Sequence, residues 1–298
     1  MIGSAQGDEL QLGKSGTELS ATSKVKSLGR LNVTIPVFNE DAQLATSVGA
    51  VAAFLSALGR FEYEIVIADN GSTDRTGEVA QMLADRFQQV RVMHLEEKGR
   101  GRALRQVWLE SQADVLSYMD VDLSTDLAAF PKLVDALATK RFDVATGSRL
   151  LPESKVRRSR KRELISRGYN RLVKAFFQTK FSDAQCGFKA ITRKAAHVLL
   201  PLVEDNGWFF DTELLVLAEK RGYRVFDMPV KWVEDSDSRV RIFSTALADV
   251  KGLIRLRRKL AFGTSRQEKD VEERRVASGA GPQPKEIKAA VRTHFPDG

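Results

Sequence analysis

The sequence predicts an α/β fold: a mostly parallel sheet flanked by helices, forming one domain between flexible termini. Short runs rich in β-branched and aromatic residues alternate with longer stretches of helical period, and the strand-like runs end in Asn, Asp, Ser or Gly. Alternation of this kind lays strands side by side with crossover helices on both faces, and ligands then bind in the crevice beyond the carboxyl ends of the strands. Residues 1–28 contain no aromatic residue, and the stretch from about Gly263 mixes charges with Gly and Pro. Neither segment has the apolar area to offset the entropy of ordering, so both read as tails, with a transient helix expected around 285–291.

The elements follow in order. LNVTIPV (31–37), YEIVIAD (63–69), VRVMHL (90–95), DVLSYMD (114–120) and FDVATGS (142–148) read as strands, with helices starting near Asp41, Thr73, Gly101 and Asp126. Their carboxyl ends carry Pro36, Asn39 and Glu40; then Asp69, Asn70 and Asp74; then Asp120 and Asp122; then Gly147 and Arg149. Asp41, Thr73 and Asp126 are accounted for as turn formers and helix caps.

Composition narrows the chemistry. With 298 residues and 43% hydrophobic content, core material is not limiting, and every apolar run falls short of the ~20 residues that cross a bilayer. The N-terminus lacks a basic start and an apolar block, so a cytoplasmic protein is expected. One cysteine, Cys186, excludes an internal disulfide; His94, His197 and His294 have no zinc-ligand spacing, so any metal must be held by oxygens. A net charge of +8 implies an acidic partner. The basic stretches lack the interleaved aromatics that stack on bases, which argues against nucleic acid.

YMDVDLSTDL (118–127) carries the strongest signal. In an extended segment residues i and i+2 share a side, so Asp120 and Asp122 are expected to face one point while Val121 turns away. Two carboxylates so close repel unless a cation lies between them, and Mg²⁺ or Mn²⁺ held by one or two carboxylates plus substrate phosphates is the natural occupant. A lone DxD arises often by chance; its place at the end of the fourth strand gives it weight.

Around it, PVFNE (36–40), ADNGSTDRT (68–76), KGRGRAL (98–104), DVDLSTD (120–126), GSR (147–149), QCGFKA (185–190) and WFFDTELL (208–215) occur in an order that resembles family 2 glycosyltransferases of the GT-A fold, over about residues 31–245. Within that family the motifs look most like the branch that glucosylates dolichyl phosphate, and next the branch that mannosylates it. The resemblance implies a GT-A domain over 29–245, a sugar nucleotide donor (UDP-glucose or GDP-mannose), a divalent metal, inversion at the anomeric carbon and a polyprenyl phosphate acceptor. It places Pro36, Asn39, Glu40, Asp69, Lys98, Gly101, Asp120, Val121 and Asp122 in the nucleotide-sugar site, with Asp69 on the base and Asp120 and Asp122 on metal and diphosphate. Arg149 and Arg167 would bind the acceptor phosphate, and Asp122, Arg149, Arg167 and Asp211 would form the catalytic set. A phosphate monoester is already anionic at neutral pH, its second pKa being about 6, and needs no general base. A sugar hydroxyl would need one, and Asp211 stands at the family position for it, although an acid near a helix start also serves the helix dipole. Glu213 is a weaker candidate.

This chain departs from the family pattern at Ser124, where mannosyl relatives place a metal-ligating glutamine, at Val107 in place of glycine, and at Arg239 in SDSRVR (236–241) in place of lysine. Two basic stretches complete the reading. Residues 153–174 hold nine Lys or Arg against two Glu, and KGLIRLRRKLAF (251–262) holds five basic residues and no acid. The first fits a solvated face or an anionic-lipid contact. The second, within a basic amphipathic helix expected over 246–262, fits a helix lying on a membrane or one docked on the domain with its charges in water. Peripheral attachment to the cytoplasmic face of a membrane is the expectation.

Overall fold

The structure, a computed structural model, describes residues 29–139, 141–234 and 247–261. The expected tails, the 285–291 helix and SDSRVR lie outside the described residues. The strands are β1 (Arg30–Val37), β2 (Glu62–Asn70), β3 (Val90–Leu95), β4 (Val115–Met119), β5 (Val144–Ser148), β6 (Lys155–Arg157), β7 (Phe188–Thr192), β8 (Val225–Pro229) and β9 (Lys231–Val233). The helices are α1 (Leu44–Leu58), α2 (Thr76–Arg86), α3 (Arg100–Glu110), α4 (Phe130–Ala138), α5 (Arg160–Phe177), α6 (Arg193–Leu199), α7 (Phe210–Lys220) and α8 (247–261).

Seven strands form one sheet in the order β3-β2-β1-β4-β7-β5-β8. Leu31–Val37 of β1 is wholly buried, as a strand covered on both faces must be. Side chains alternate between faces: in β2, Val66 and Ala68 join the core under α3 and α7, while Ile65 and Ile67 join the core under α1 and α4. α1 ends where Gly59 takes the left-handed conformation (φ 56°) and returns its N–H to Leu55 O, a conformation glycine adopts without strain.

One strand departs from the expected series. β7, the QCGFKA segment, inserts antiparallel between β4 and β5, so the fourth and fifth strands do not pair directly. Its apolar residues are too few to announce a strand, and its pairing with β4 joins segments far apart in the chain. The basic stretch 153–174 becomes β6, which pairs with β9, followed by α5, which docks through Asn170, Val173 and Phe177 and leaves most of its charges outward. α8 docks in the same manner, burying Leu253 and Leu256. Gly252 comes so close to Phe209 that a Cβ would lie 2.5 Å from its ring.

Helix starts also differ in detail. Asp126 does cap its short helix, accepting from Ala128 N at 2.9 Å. Asp74 rather than Thr73 accepts from the first turn of α2, at Thr76 N (2.9 Å). Thr73 instead donates its N–H to Asn39 Oδ1 (2.8 Å), tying the loops after β1 and β2 together.

Candidate functional site

The carboxyl ends of β1, β2 and β4 form a continuous edge. After β1 the chain turns at Asn39 (φ 57°), whose N–H donates to Ser72 Oγ, and Glu40 N–H donates to Thr76 Oγ1 at 2.7 Å. Asp69 is buried at the end of β2, one carboxylate oxygen accepting from Ser72 N (3.1 Å) and the other paired with His94 Nδ1 (2.9 Å). In this structure Asp69 fixes the turn beneath the crevice. His94 was not read as a site residue, because its pairing crosses from β3 to β2. Lys98 lies 3.4 Å from the Phe38 ring centroid, closing this edge. Gly101 lies under the rim: a Cβ there would meet Phe210 Cβ at 2.6 Å and Asp205 O at 2.9 Å, so its missing side chain lets α3 approach the start of α7.

The doublet does not sit in extended chain. β4 ends at Met119, and Asp120–Leu123 form a tight turn in which Leu123 N–H donates to Asp120 O (3.2 Å) and Leu123 adopts φ 47°. The turn, rather than strand alternation, brings the two carboxylates together. Asp120, Asp122, Ser124, Gly187 and Trp232 line one small cleft. Val121 packs into the core as expected of the residue between them. Gly187 leaves room for that carboxylate, since a Cβ there would lie 1.6 Å from Asp120 Oδ2 and force the side chain to move.

This cleft suits a divalent cation. Its carboxylates supply hard oxygen donors, and the Ser124 hydroxyl beside them is buried without a hydrogen-bond partner. Among the described residues no cluster of three or more His, Cys, Asp or Glu surrounds it, which leaves further coordination to water and substrate.

Behind the doublet lies a buried polar network. Asp211, 1% exposed, accepts from Arg100 Nη1 (2.6 Å) and from the Tyr118 hydroxyl, and Lys189 Nζ lies 3.3 Å from it. Burial opposes its charge, yet Lys189, Arg100 and Tyr118 together hold the carboxyl below its ordinary range. Asp211 is therefore an anchored anion beneath the rim, poorly suited to accept a proton. Glu213 faces elsewhere, holding Asp205 N (2.9 Å) and Arg255 of α8 (2.9 Å). Arg100 was missed in the sequence because its partners lie 20 and 111 residues away.

Arg149 and Arg167 line a second, open cleft of about 340 Å³ whose wall includes Leu150, Leu151, Pro152 and Val156. The Arg149 guanidinium lies 5.5 Å from the ring centroid of Trp232, which lines the first cleft, so this contact joins the two clefts. Arg149 grips the fully buried Asp183 through Nε (2.7 Å), Nη2 (3.0 Å) and its backbone N–H (3.0 Å). Burial would raise the Asp183 carboxyl, but Arg149 overrides it and depresses it to about 2. Arg167 shares Glu163 with Arg158. Cys186, buried between these features, has its thiol pushed up to about 12 by burial and is inert.

A mostly parallel sheet with a carboxylate turn at its switch edge and an arginine-lined cleft beside it is an architecture of the GT-A type. The chain belongs to glycosyl transferase family 2, whose model matches residues 32–200. It is 39% identical over 212 residues to glycosyltransferase AglD of Haloferax volcanii, a match covering 70% of this chain and 34% of that protein, so it spans about a third of that relative's length. It is 32% identical to the dolichyl-phosphate β-glucosyltransferase of Drosophila melanogaster (72% of this chain, 70% of that protein) and 28% identical to that of Saccharomyces cerevisiae (80% and 77%). Glucosyl-3-phosphoglycerate synthase from Mycobacterium tuberculosis, solved with Mn²⁺, UDP and phosphoglyceric acid, has the same fold, with a TM-score of 0.59, 19% identity and 78% of each chain covered.

Proposed function

We propose that this chain transfers a hexose, glucose favoured, from a nucleoside diphosphate sugar to a polyprenyl phosphate with inversion at the anomeric carbon. One observation carries the reading: Trp232, which lines the carboxylate cleft, lies against Arg149, which lines the apolar-walled second cleft, so the two clefts are joined by one cation–π contact. Donor diphosphate and acceptor phosphate, both anionic, would thus meet at one wall. The relatives named for dolichyl-phosphate glucosylation support the same pairing.

Asn39, Glu40 and Lys98 line the edge proposed for the nucleotide, with Pro36 and Asp69 buried beneath it. Asp120 and Asp122, with the Ser124 hydroxyl, would hold the divalent cation. When bound, that cation offsets the charge gained by the leaving diphosphate. Arg149, its fork fixed by Asp183, and Arg167 orient the acceptor phosphate, and Leu150, Leu151, Pro152 and Val156 receive the first apolar units of the lipid. An acceptor phosphate oxygen then forms the new bond to the anomeric carbon from the face opposite the diphosphate, which departs with the electron pair. No proton must be removed from this acceptor. That suits Asp211, whose oxygens are already held by cations and a hydroxyl, and disfavours a sugar hydroxyl as acceptor.

A donor panel of UDP-glucose, UDP-GlcNAc and GDP-mannose with a short polyprenyl phosphate and Mn²⁺ tests the reading. Transfer from UDP-glucose is expected, transfer from GDP-mannose alone would move the chain to the mannosyl branch, and transfer from none overturns the proposal.

Among the described residues no helix is long and apolar enough to cross a membrane. Peripheral contact at the cytoplasmic face is part of the proposal, supported by exposed Leu164 and Ile165 on the basic α5 and by exposed Leu247, Val250 and Ile254 on α8, beside Lys251 and Arg258. Sedimentation with anionic vesicles at low salt is expected, and its absence would overturn this part alone.

A further inference from the structure

The charge facing Asp120 is supplied from within the protein. Arg100 begins α3, and its guanidinium divides between two carboxylates: Nη1 donates to buried Asp211 (2.6 Å) and Nη2 to Asp120 Oδ1 (2.8 Å). Its carbon lies 4.7 Å from the Tyr118 ring centroid and 4.8 Å from that of Trp208, which stands half-exposed at the mouth. One end is thus fixed in the core. The other rests on an Asp120 side chain that is 39% exposed and lines the cation cleft.

The guanidinium is also incompletely satisfied. Nε is buried and donates to nothing, although it lies on the same edge as Nη2. Arg149 shows what that edge does when complete: its Nε and Nη2 together grip two oxygens of one carboxylate. Asp120 therefore occupies half of a two-oxygen site on Arg100. A phosphate presents two oxygens at the spacing of that edge. A divalent cation on Asp120 would compete with Nη2 for the same oxygens, and two cations on one carboxylate repel.

We infer that Arg100 is the resident counter-ion of Asp120, displaced when a divalent cation binds and then taken up, through its Nε–Nη2 edge, by the donor diphosphate. The inference rests on the reading of this cleft as the donor site and adds a positioning residue to it. Asp211 holds the pivot of the exchange: Nη1 stays on it, while Lys189 and the Tyr118 hydroxyl remain as its other partners. The exchange also makes binding ordered in its energetics, because the cation that costs Arg100 one partner creates the need for the next.

Arg100→Met and Arg100→Lys in the full chain test the inference. Mn²⁺ binding without nucleotide is followed by the electron paramagnetic resonance signal of free Mn²⁺, and UDP or GDP binding at saturating Mn²⁺ by calorimetry. Arg100→Met is expected to bind Mn²⁺ about tenfold tighter and the nucleotide about tenfold weaker, the scale of one charge-assisted hydrogen bond. Arg100→Lys, which keeps the charge without the two-donor edge, is expected to keep Mn²⁺ affinity near wild type and lose nucleotide affinity. Opposite signs distinguish exchange from damage, since a structural role would weaken both together in both variants. Unchanged or weaker Mn²⁺ binding in a folded Arg100→Met overturns the inference alone. Mn²⁺ binding by the wild type that Asp120→Asn does not abolish overturns the site reading and the inference with it.

Discussion

Asp120 shares a cleft with Trp232, Arg149 lies against the same tryptophan, and each is held by an opposite charge, but the partners differ in kind. Arg149 closes its Nε–Nη2 edge on Asp183, which is fully buried and also accepts from Gln185 N (3.2 Å). Asp120 is touched by one donor of Arg100 and remains 39% exposed. A pair anchored on a fully buried carboxylate sets the direction of the arginine before any ligand arrives, at the cost of desolvating that charge. A half-open pair can be exchanged. On the proposed reading, the acceptor side is rigid and the donor side changes partners, as suits a site that must release a diphosphate and admit another.

The largest way to break this comparison is Arg149→Met. It leaves the buried Asp183 carboxylate without its guanidinium and is expected to cost about 3–5 kcal/mol of stability in urea unfolding. Asp120→Asn, on the open side, is expected to change stability by less than about 1 kcal/mol while lowering kcat/KM by about two to three orders of magnitude. If Asp120→Asn unfolds the protein and Arg149→Met does not, the assignment of rigid and exchangeable sides is reversed.

Acid titration sharpens the contrast between Asp183 and Asp249 of α8. The folded carboxyl of Asp183 lies at about 2 against an ordinary 3.8, so its stabilisation is complete above 3.8 and is lost as pH falls toward 2. That loss amounts to about 2 kcal/mol. Asp249 faces Gln185 without a cation, and burial, with the charges of Asp205 and Asp211, pushes it up to about 6. Its sign is opposite: ionised above about 6 it costs stability, and the cost disappears as pH falls to 3.8. Asp249→Asn should therefore stabilise by up to about 3 kcal/mol at pH 7.5 and by nothing near pH 4, read from thermal melts across pH. The smallest effect is expected of Arg167→Ala. That side chain is 49% exposed, so the acceptor KM should rise about tenfold with the donor KM and melting temperature unmoved.

Much of this edge was legible before folding. The five strand segments were read within one or two residues of their observed ends, because buried parallel strands are continuous β-branched runs and their ends are marked by turn residues. The doublet and the GSR arginine were legible as residue types in a pattern. Arg100, Asp183 and Trp232 were not. Each acts through a partner far along the chain: Arg100 with Asp211 across 111 residues, and Arg149 with Asp183 across 34. Nothing local in KGRGRAL or QCGFKA announces such a partner.

By itself the sequence determined the alternation of strands and helices, the edge on which the site lies and the chemical types gathered there, since these follow from periodicity and residue type. Only the tertiary structure decided that a turn rather than a strand joins Asp120 to Asp122, that the pairing of β7 with β4 sets Gly187, just before β7, against them, and that Trp232 of the first cleft lies against Arg149 of the second. Those depend on which distant segments pack together, and packing is set by the whole buried core rather than by any window of the chain.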